Sequence, residues 1–443
     1  MGRRSSLAWI MGILVLACLI AVAGRFISPR KSRGSMDLAR EIELAKKDGI
    51  PLEPADLRPK QAIPDSQNAA VVYKAAFPAI LDIFSWSHQR GKELVKVEMG
   101  RATSAEKADL ESGLLKARKA MDQVSSAAGL PECEWPSTDQ KAFTSSLLQA
   151  TDVVKVFDIK ARLLIDHGRI EEAYDAIATE GAIGRQAGMS PGKIAAMVEA
   201  LIGGTAMNGF LVALQKSAGD RVLLTKAQRT LARFSRSIDL RAVYRAETVA
   251  RLSSVREIHT EGDVECLTIW PRHGTAAETY AFFKATAGKG PVVPREVVAG
   301  YEAKFLASWR RLIETLPSDP TDLAGANDAI DKVVDSADKD TSPDNIVNRA
   351  LLRLPGLHFR EGGYVAAFWN LAATSIRLMQ GRIESGTYPE SLPDYGKMAI
   401  DPFTGKRLEY HRQGAGFELS SAGDLDRPGH HANPKARRPW TFG

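Results

Sequence analysis

Residues 160–181, KARLLIDHGRIEEAYDAIATEG, decide the fold class because they predict two helices joined by a tight turn. Apolar residues recur at intervals of three and four on both sides of Gly168, which is the spacing of a helix with one buried face. Gly168 supplies the turn between the helices. The small side chains of Ala161 and Ala173 allow the two helices to approach closely. The segment therefore predicts a helical hairpin.

The same spacing extends from about residue 36 to residue 370, with Gly and Pro clusters at intervals that suit connections between helices. The composition, with 44% hydrophobic and 25% charged residues and three cysteines, excludes a disordered, collagenous or disulfide-rich chain. We predict a mainly α-helical protein built as an irregular array of helical hairpins. The clearest predicted helices are residues 68–84, 105–128, 143–167, 170–185, 194–215, 225–234 and 240–259.

The hairpin at residues 160–181 is similar to a tetratricopeptide hairpin. Such repeats recur about every 34 residues, and about three stacked units are needed to bury a continuous core. The sequence contains no clean second copy at that period. We therefore favour an irregular helical array and keep tetratricopeptide-like repeats as an alternative.

The chain opens with an uncharged apolar run from Leu7 to Gly24, LAWIMGILVLACLIAVAG, which is bracketed by arginines. At about 1.5 Å per residue, a helix of this length covers about 27 Å, close to the thickness of the hydrocarbon core. The run predicts a single transmembrane helix. Residues 21–23, Ala-Val-Ala, resemble a cleavage site, so a signal peptide removed after Ala23 is the alternative. The run is longer than the usual signal core of about 7–15 residues, which favours an uncleaved anchor.

The basic residues beside this run give conflicting orientation signals. Two arginines precede it and four basic residues follow it, and a literal count favours a cytoplasmic body. A short amino terminus usually stays inside when such a segment acts as a signal-anchor, and the cleavage-like site indicates the same orientation. We expect a single-pass protein of the cell membrane with its body outside the cytoplasm.

The formal net charge of +6 is concentrated at the two ends of the chain. Six basic residues and no acidic residue precede Asp37, and four basic residues follow Asp426, so the chain between is net negative. This distribution does not indicate a body that binds nucleic acid. The expected partners are the lipid bilayer, through residues 7–24, and other envelope proteins.

These features divide the chain into a basic-flanked membrane anchor at residues 1–33, a Pro-rich spacer at 34–66, a helical body at 67–316, an acidic linker at 317–345, a helix plus β-hairpin module at 346–426 and a basic tail at 427–443. In the linker, Asp338, Asp340 and Ser342 alternate as calcium ligands do. Pro343 stands where a calcium loop needs Gly, and Arg349 stands where it needs a bidentate Glu. We therefore expect a solvated acidic connection.

The carboxyl end combines a predicted helix at residues 364–383 with two predicted strands at residues 408–412 and 417–421. Asp401-Pro402-Phe403-Thr404-Gly405 is a turn sequence, because Pro presets one dihedral and Gly accepts a left-handed one. A two-stranded hairpin is marginal alone, so we expect it to pack on the preceding helix.

The segments GTYPESL, DPFTGKRLEY and GFELSSAGD resemble the carboxyl-terminal part of the major pseudopilins of type II secretion. They resemble still more a family of single-anchor bacterial envelope proteins of uncharacterised activity, which also has stretches similar to NAAVVYKAAF, ECEWP and RAVYRAETVARL. The resemblance implies an architecture and a location rather than a chemistry.

Two departures from the pseudopilin pattern limit what carries over. Gly24 follows the apolar run instead of preceding it, and the run contains no Glu, so assembly into a pilus is not expected. Asp424 and Asp426 lie in the loop that binds calcium in pseudopilins, but each is displaced by one position. A capped turn is favoured there over a calcium site.

Residues 188–192, GMSPG, match the G-x-S-x-G pattern of a nucleophile elbow, and Ser190 with Lys193 matches S-x-x-K. An elbow needs a buried strand before the serine, whereas the preceding EGAIGRQAG reads as the end of a helix. The triplets that accompany S-x-x-K are absent from the sequence. We expect Ser190 to be a helix N-cap with Pro191 at the first helical position.

The other reactive residues form no set that predicts a site. The histidines are scattered, and His430 and His431 are adjacent without a nearby acid to complete a metal site. Cys133 and Cys266 are candidates for a disulfide in an exported body, and free buried cysteines are the alternative. We assign no catalytic, cofactor-binding or metal-ligating residue and expect no cofactor.

The function we expect is that of a membrane-anchored, non-catalytic scaffold. The alternatives are a secretion or transport accessory that docks through the pseudopilin-like tail, and a membrane-anchored hydrolase with an unrecognised site.

Overall fold

A computed structural model describes residues 33–57, 61–84, 96–97, 100–135, 140–260, 295–340, 342, 345–352, 360–423 and 440–442. These residues form twelve α-helices and one small antiparallel sheet, which confirms the prediction of a mainly helical protein. The predicted anchor at residues 7–24 lies outside the described residues, as do Cys266, Asp424, Asp426, His430 and His431.

The helices are α1 Arg33–Lys47, α2 Ala69–Ile83, α3 Ser104–Ala127, α4 Gln140–Asp166, α5 Ile170–Gly188, α6 Lys193–Lys216, α7 Arg221–Leu231, α8 Leu240–Thr260, α9 Arg295–Thr315, α10 Leu323–Lys339, α11 Ile346–Leu352 and α12 Arg360–Ser385. The strands are β1 Glu409–Gln413, β2 Gly416–Ser420 and β3 Trp440–Phe442. The seven clearest helices predicted from the sequence correspond to α2–α8.

Side chains in the sequence set several of these helix ends. Asn68 caps α2, because its Oδ1 accepts a hydrogen bond from the backbone N–H of Ala70 at 3.1 Å. Thr103 and Glu106 form a reciprocal capping box at the start of α3. Asp220 accepts from two backbone N–H groups at the start of α7, which explains why that helix begins before the predicted residue 225.

The chain folds into two compact units. The first contains α1, α9, α11 and the adjoining parts of α8 and α10. In it Arg310 of α9 donates hydrogen bonds at 2.7 Å to both Glu41 and Asp48, the first on α1 and the second just after it. The segment expected as a Pro-rich spacer therefore includes a helix that packs against α9.

The acidic segment also contains a helix, α10. Its apolar residues Ala326, Ile330 and Val333 are buried, while Asp328 and Asp331 are exposed. The apolar residues recur at three and four positions, which is a helical pattern that the high Asp content of the segment masks.

The second unit contains α2–α7, α12 and the sheet. Helices α4 and α5 pack together as the predicted hairpin, and Gly168 between them has a φ of +72°. Helix α6 packs closely on α5, since a Cβ on Gly184 would lie 2.8 Å from the Ile202 side chain. A small residue therefore sets the distance between α5 and α6, and Ala161 and Ala173 of the α4–α5 hairpin are fully buried.

The carboxyl-terminal hairpin forms as predicted and gains a third strand. Strand β1 pairs with β2, and β2 pairs on its other side with β3, in the order β1-β2-β3. Phe417 of β2 is fully buried and contacts the rings of Tyr388 and Phe442, each with ring centroids 4.8 Å away. Helix α12 packs on α6 and α7, so this segment shares one core with the helical array.

Candidate functional site

Residues 188–192 connect two helices and do not form a nucleophile elbow. Helix α5 ends at Gly188, Ser190 is buried, and α6 begins at Lys193. The expectation that Ser190 caps α6 is wrong, because Gly192 occupies the N-cap position with a φ of +106°. The carboxylate of Glu247, on α8, accepts from the backbone N–H of Lys193 at 3.0 Å. The cap comes from a residue 54 positions away, which local sequence patterns do not reveal.

A buried carboxyl group lies beside this connection. Glu199 of α6 is 9% exposed, and burial raises its pKa to about 7, although the Ser235 hydroxyl and the Arg185 charge act in the opposite direction. The Ser235 Oγ donates to Glu199 Oε1. A Cβ on Gly188 would overlap the carboxylate, so a larger residue at that position would displace the Glu199 side chain. A pKa near neutrality is typical of a general base, so this group is the strongest catalytic candidate among the described residues.

The space around Glu199 argues against that role. The enclosed cavity that Glu199, Arg185 and Ser235 line has a volume of about 10 Å³. A volume of this size admits about one water molecule and no organic substrate. The raised pKa of Glu199 is therefore a consequence of packing.

A second buried acid lies within the α4–α5 hairpin. Glu180 of α5 is 0% exposed, and neither of its carboxyl oxygens has a hydrogen-bond partner in the described part of the chain. Burial and the nearby Asp158 raise the pKa of Glu180 well above its usual range. Arg162 Nε donates to Asp158 Oδ2 at 2.8 Å. The environment of Glu180 therefore favours its neutral form, and the side chain is closed off from solvent.

The described residues offer no metal centre, since no group of three His, Cys, Asp or Glu side chains among them is placed to hold an ion. Asp340, considered above as a calcium ligand, accepts instead from Lys304 at 2.9 Å and from the backbone N–H of Ser342 at 3.0 Å. Cys133 is buried, and burial raises the pKa of its thiol to about 12. That thiol is consequently a poor nucleophile.

A wide groove lies on the surface of the second unit. Its volume is about 930 Å³, and it is open to solvent. We call it the α2–α3 groove, and its lining residues are Val72, Leu115, Lys116, Arg118, Lys119, Asp122, Gln123, Ser126, Ala127 and Leu130. Leu115 is 70% exposed, and Val72 and Leu130 are half-buried. The groove thus combines an exposed leucine and half-buried apolar side chains with three basic residues.

Gln186 holds one end of the α2–α3 groove in place. This residue of α5 is fully buried, and its Nε2 donates to the carbonyl oxygens of Ala127 at 3.2 Å and Leu130 at 3.0 Å. Its Oε1 accepts from the Tyr73 hydroxyl on α2, and its carbonyl accepts from Trp135 Nε1 at 3.1 Å. Because Gln186 links α2, the end of α3 and residue 135, the groove is preformed.

The sequence carries one signal for this surface, a pair of adjacent leucines in α3. Leu114 and Leu115 are adjacent in α3, and two adjacent residues of a helix point in directions about 100° apart. Only Leu114 packs against the core, so Leu115 is left in solvent.

Helix α6 is the one described helix that is long and apolar enough to cross a membrane. Half of its most apolar window is buried inside the protein, which is also the property of a core helix.

Comparisons with models of known families, with curated proteins and with solved structures find no match for this chain.

Proposed function

We propose that the protein is a single-pass envelope protein, tethered to the cell membrane by residues 7–24, whose helical body binds other envelope proteins without catalysing a reaction. The α2–α3 groove is the observation that carries this proposal. The groove is a preformed surface with an exposed leucine. The cavity beside the buried acid Glu199, by contrast, has no room for a substrate. Apolar side chains of this kind gain free energy when a partner covers them.

The location and the helical architecture have separate support. The apolar run at residues 7–24 is followed by a body that is net negative and mainly helical. The α4–α5 hairpin is similar to a tetratricopeptide hairpin, and such helical arrays present extended concave surfaces for protein binding. The hydrolase alternative has weaker support, because its best candidate, Glu199, lines a cavity of about 10 Å³.

One observation favours the second candidate, docking through the pseudopilin-like tail. In the order β1-β2-β3, strand β1 is an edge strand, and four of its five residues are exposed. An open strand edge accepts an added strand from another chain. Deleting the tail would not test this idea, because Phe417 belongs to the shared core. Replacing Arg412 by Pro removes an N–H that points away from β2, because Arg412 and Phe417 form a non-hydrogen-bonded pair next to the hydrogen-bonded Gln413–Gly416 pair at the turn. It removes one exposed ion pair with Glu390 and no buried side chain, so it is the appropriate variant.

Site-specific photo-crosslinking in cells tests the scaffold proposal. A photo-reactive amino acid replaces Leu115 in one chain and Val222 in a control chain, because both side chains are 70% exposed. We expect a discrete crosslink to another envelope protein from position 115 and none from position 222. No crosslink from position 115, or equal crosslinking from both positions, would contradict a role for the groove. Loss of a tail-dependent partner in the Arg412→Pro variant would support the second candidate instead.

A further inference from the structure

The α2–α3 groove carries a net positive charge on a body that is otherwise net negative. Lys116, Arg118 and Lys119 line it, against the single acid Asp122. Arg118 and Asp122 are 3.9 Å apart, at the outer limit of an ion pair. Both lysines are exposed, and among the residues that the structure describes neither of them has an ion-pair partner. Two positive charges are therefore available to a ligand.

The groove has the length and the pattern of a site for a helix. The lining residues of α3 run from Leu115 to Ala127, which is about 18 Å, or about three turns. The apolar side chains of Leu115, Val72 and Leu130 occupy the same groove as the lysines. A partner helix of about 12 residues would place an apolar stripe on these side chains and a charged flank beside the lysines.

We infer that the α2–α3 groove binds an acidic amphipathic helix supplied by a partner protein. This inference rests on the proposed scaffold function and adds the chemistry of the partner. Lys116 and Lys119 are three residues apart on α3, so they lie on one face about one turn apart. Carboxylates three or four residues apart on the partner helix match this spacing. A basic or neutral helix of the same shape leaves both lysines unpaired or repelled.

The test measures fluorescence anisotropy with the full-length protein in zwitterionic lipid nanodiscs. Three labelled 14-residue peptide probes are used. The first is an amphipathic helix with Leu on one face and Glu on its flanks, and the second is the same helix with Lys in place of Glu. The third contains all the residues of the first in scrambled order. The variant is Lys116→Glu/Lys119→Glu. The matched control is Lys216→Glu/Lys406→Glu, which changes the net charge equally at two exposed lysines outside the groove.

We expect the acidic amphipathic probe to bind at least tenfold more tightly than the other two. The affinity should fall about tenfold in the Lys116→Glu/Lys119→Glu variant, stay unchanged in the control, and weaken as salt is raised. Equal binding of the acidic and basic probes, or full binding by the groove variant, would overturn the inference. If position 115 crosslinks in cells but the acidic probe does not bind, the inference of an acidic helix is refuted while the scaffold proposal stands. No crosslink from position 115 would refute the scaffold role itself.

Discussion

Replacing Glu199 by Gln should remove a pH-dependent loss of stability. The folded protein holds the Glu199 proton up to about pH 7, whereas the unfolded chain releases it near 4.5. The stability that the protonated acid contributes is therefore fully present below pH 4.5 and is lost as the pH rises to about 7. A difference of about 2.5 pKa units corresponds to about 3 kcal/mol. Gln cannot ionise, and its carbonyl oxygen can still accept from Ser235.

The assay is urea unfolding of the full-length protein, followed by tryptophan fluorescence between pH 5 and pH 8. We expect the difference in unfolding free energy between Glu199→Gln and the natural sequence to shift by about 2.5 kcal/mol in favour of the variant across this range, because the remainder of the effect falls below pH 5. Glu384→Gln is the control, because that carboxylate is in an exposed pair with Arg221. A difference that does not change with pH would refute the assignment of Glu199 as a buried, packing-shifted acid.

Three further predictions concern the packing that supports the groove and the tail. Gln186→Ala leaves the Tyr73 hydroxyl and two carbonyl groups without their partner. It should lower the free energy of unfolding by about 3 kcal/mol and speed amide exchange near Ala127. The control variant Gln123→Ala, at an exposed position, should do neither. Phe417→Ala removes a fully buried ring and should lower the free energy of unfolding by about 3–5 kcal/mol. Amide exchange should become faster in α6 as well as in α12. Exchange that changes only in the strands would argue against a shared core. In the Cys18→Ser/Cys266→Ser variant, Cys133 should react with a maleimide only after denaturation. Its thiol is buried, and burial raises the pKa of that thiol to about 12. Rapid labelling of the native protein would contradict its burial.

Helix positions followed from the sequence because local patterns determine them. The α4–α5 hairpin is an example, since Gly168 and the apolar spacing on both sides lie within residues 160–181. The carboxyl-terminal turn is another. The Asp401 side chain accepts from the backbone N–H of Phe403 at 3.0 Å, and Gly405 has a φ of +67°.

Features that depend on distant residues were not predicted. Strand β3 pairs with β2 although 19 residues separate the two strands. Its three residues, Trp440 to Phe442, alternate as strand residues do but are too few to predict a strand. The cap of α6 comes from Glu247, so Ser190 was the wrong choice although its local sequence suited the role. The α2–α3 groove depends on Gln186 of α5, which tertiary packing alone brings to Ala127 and Leu130.

The tether and location of the body are tested most directly by protease accessibility of an epitope added after Gly443, combined with the mass of the mature chain. The account predicts a protein that sediments with membranes, retains residues 1–23, and loses the epitope to protease in spheroplasts without lysis. A full-length chain that is soluble after cell breakage, or an epitope that protease reaches only after lysis, would contradict it.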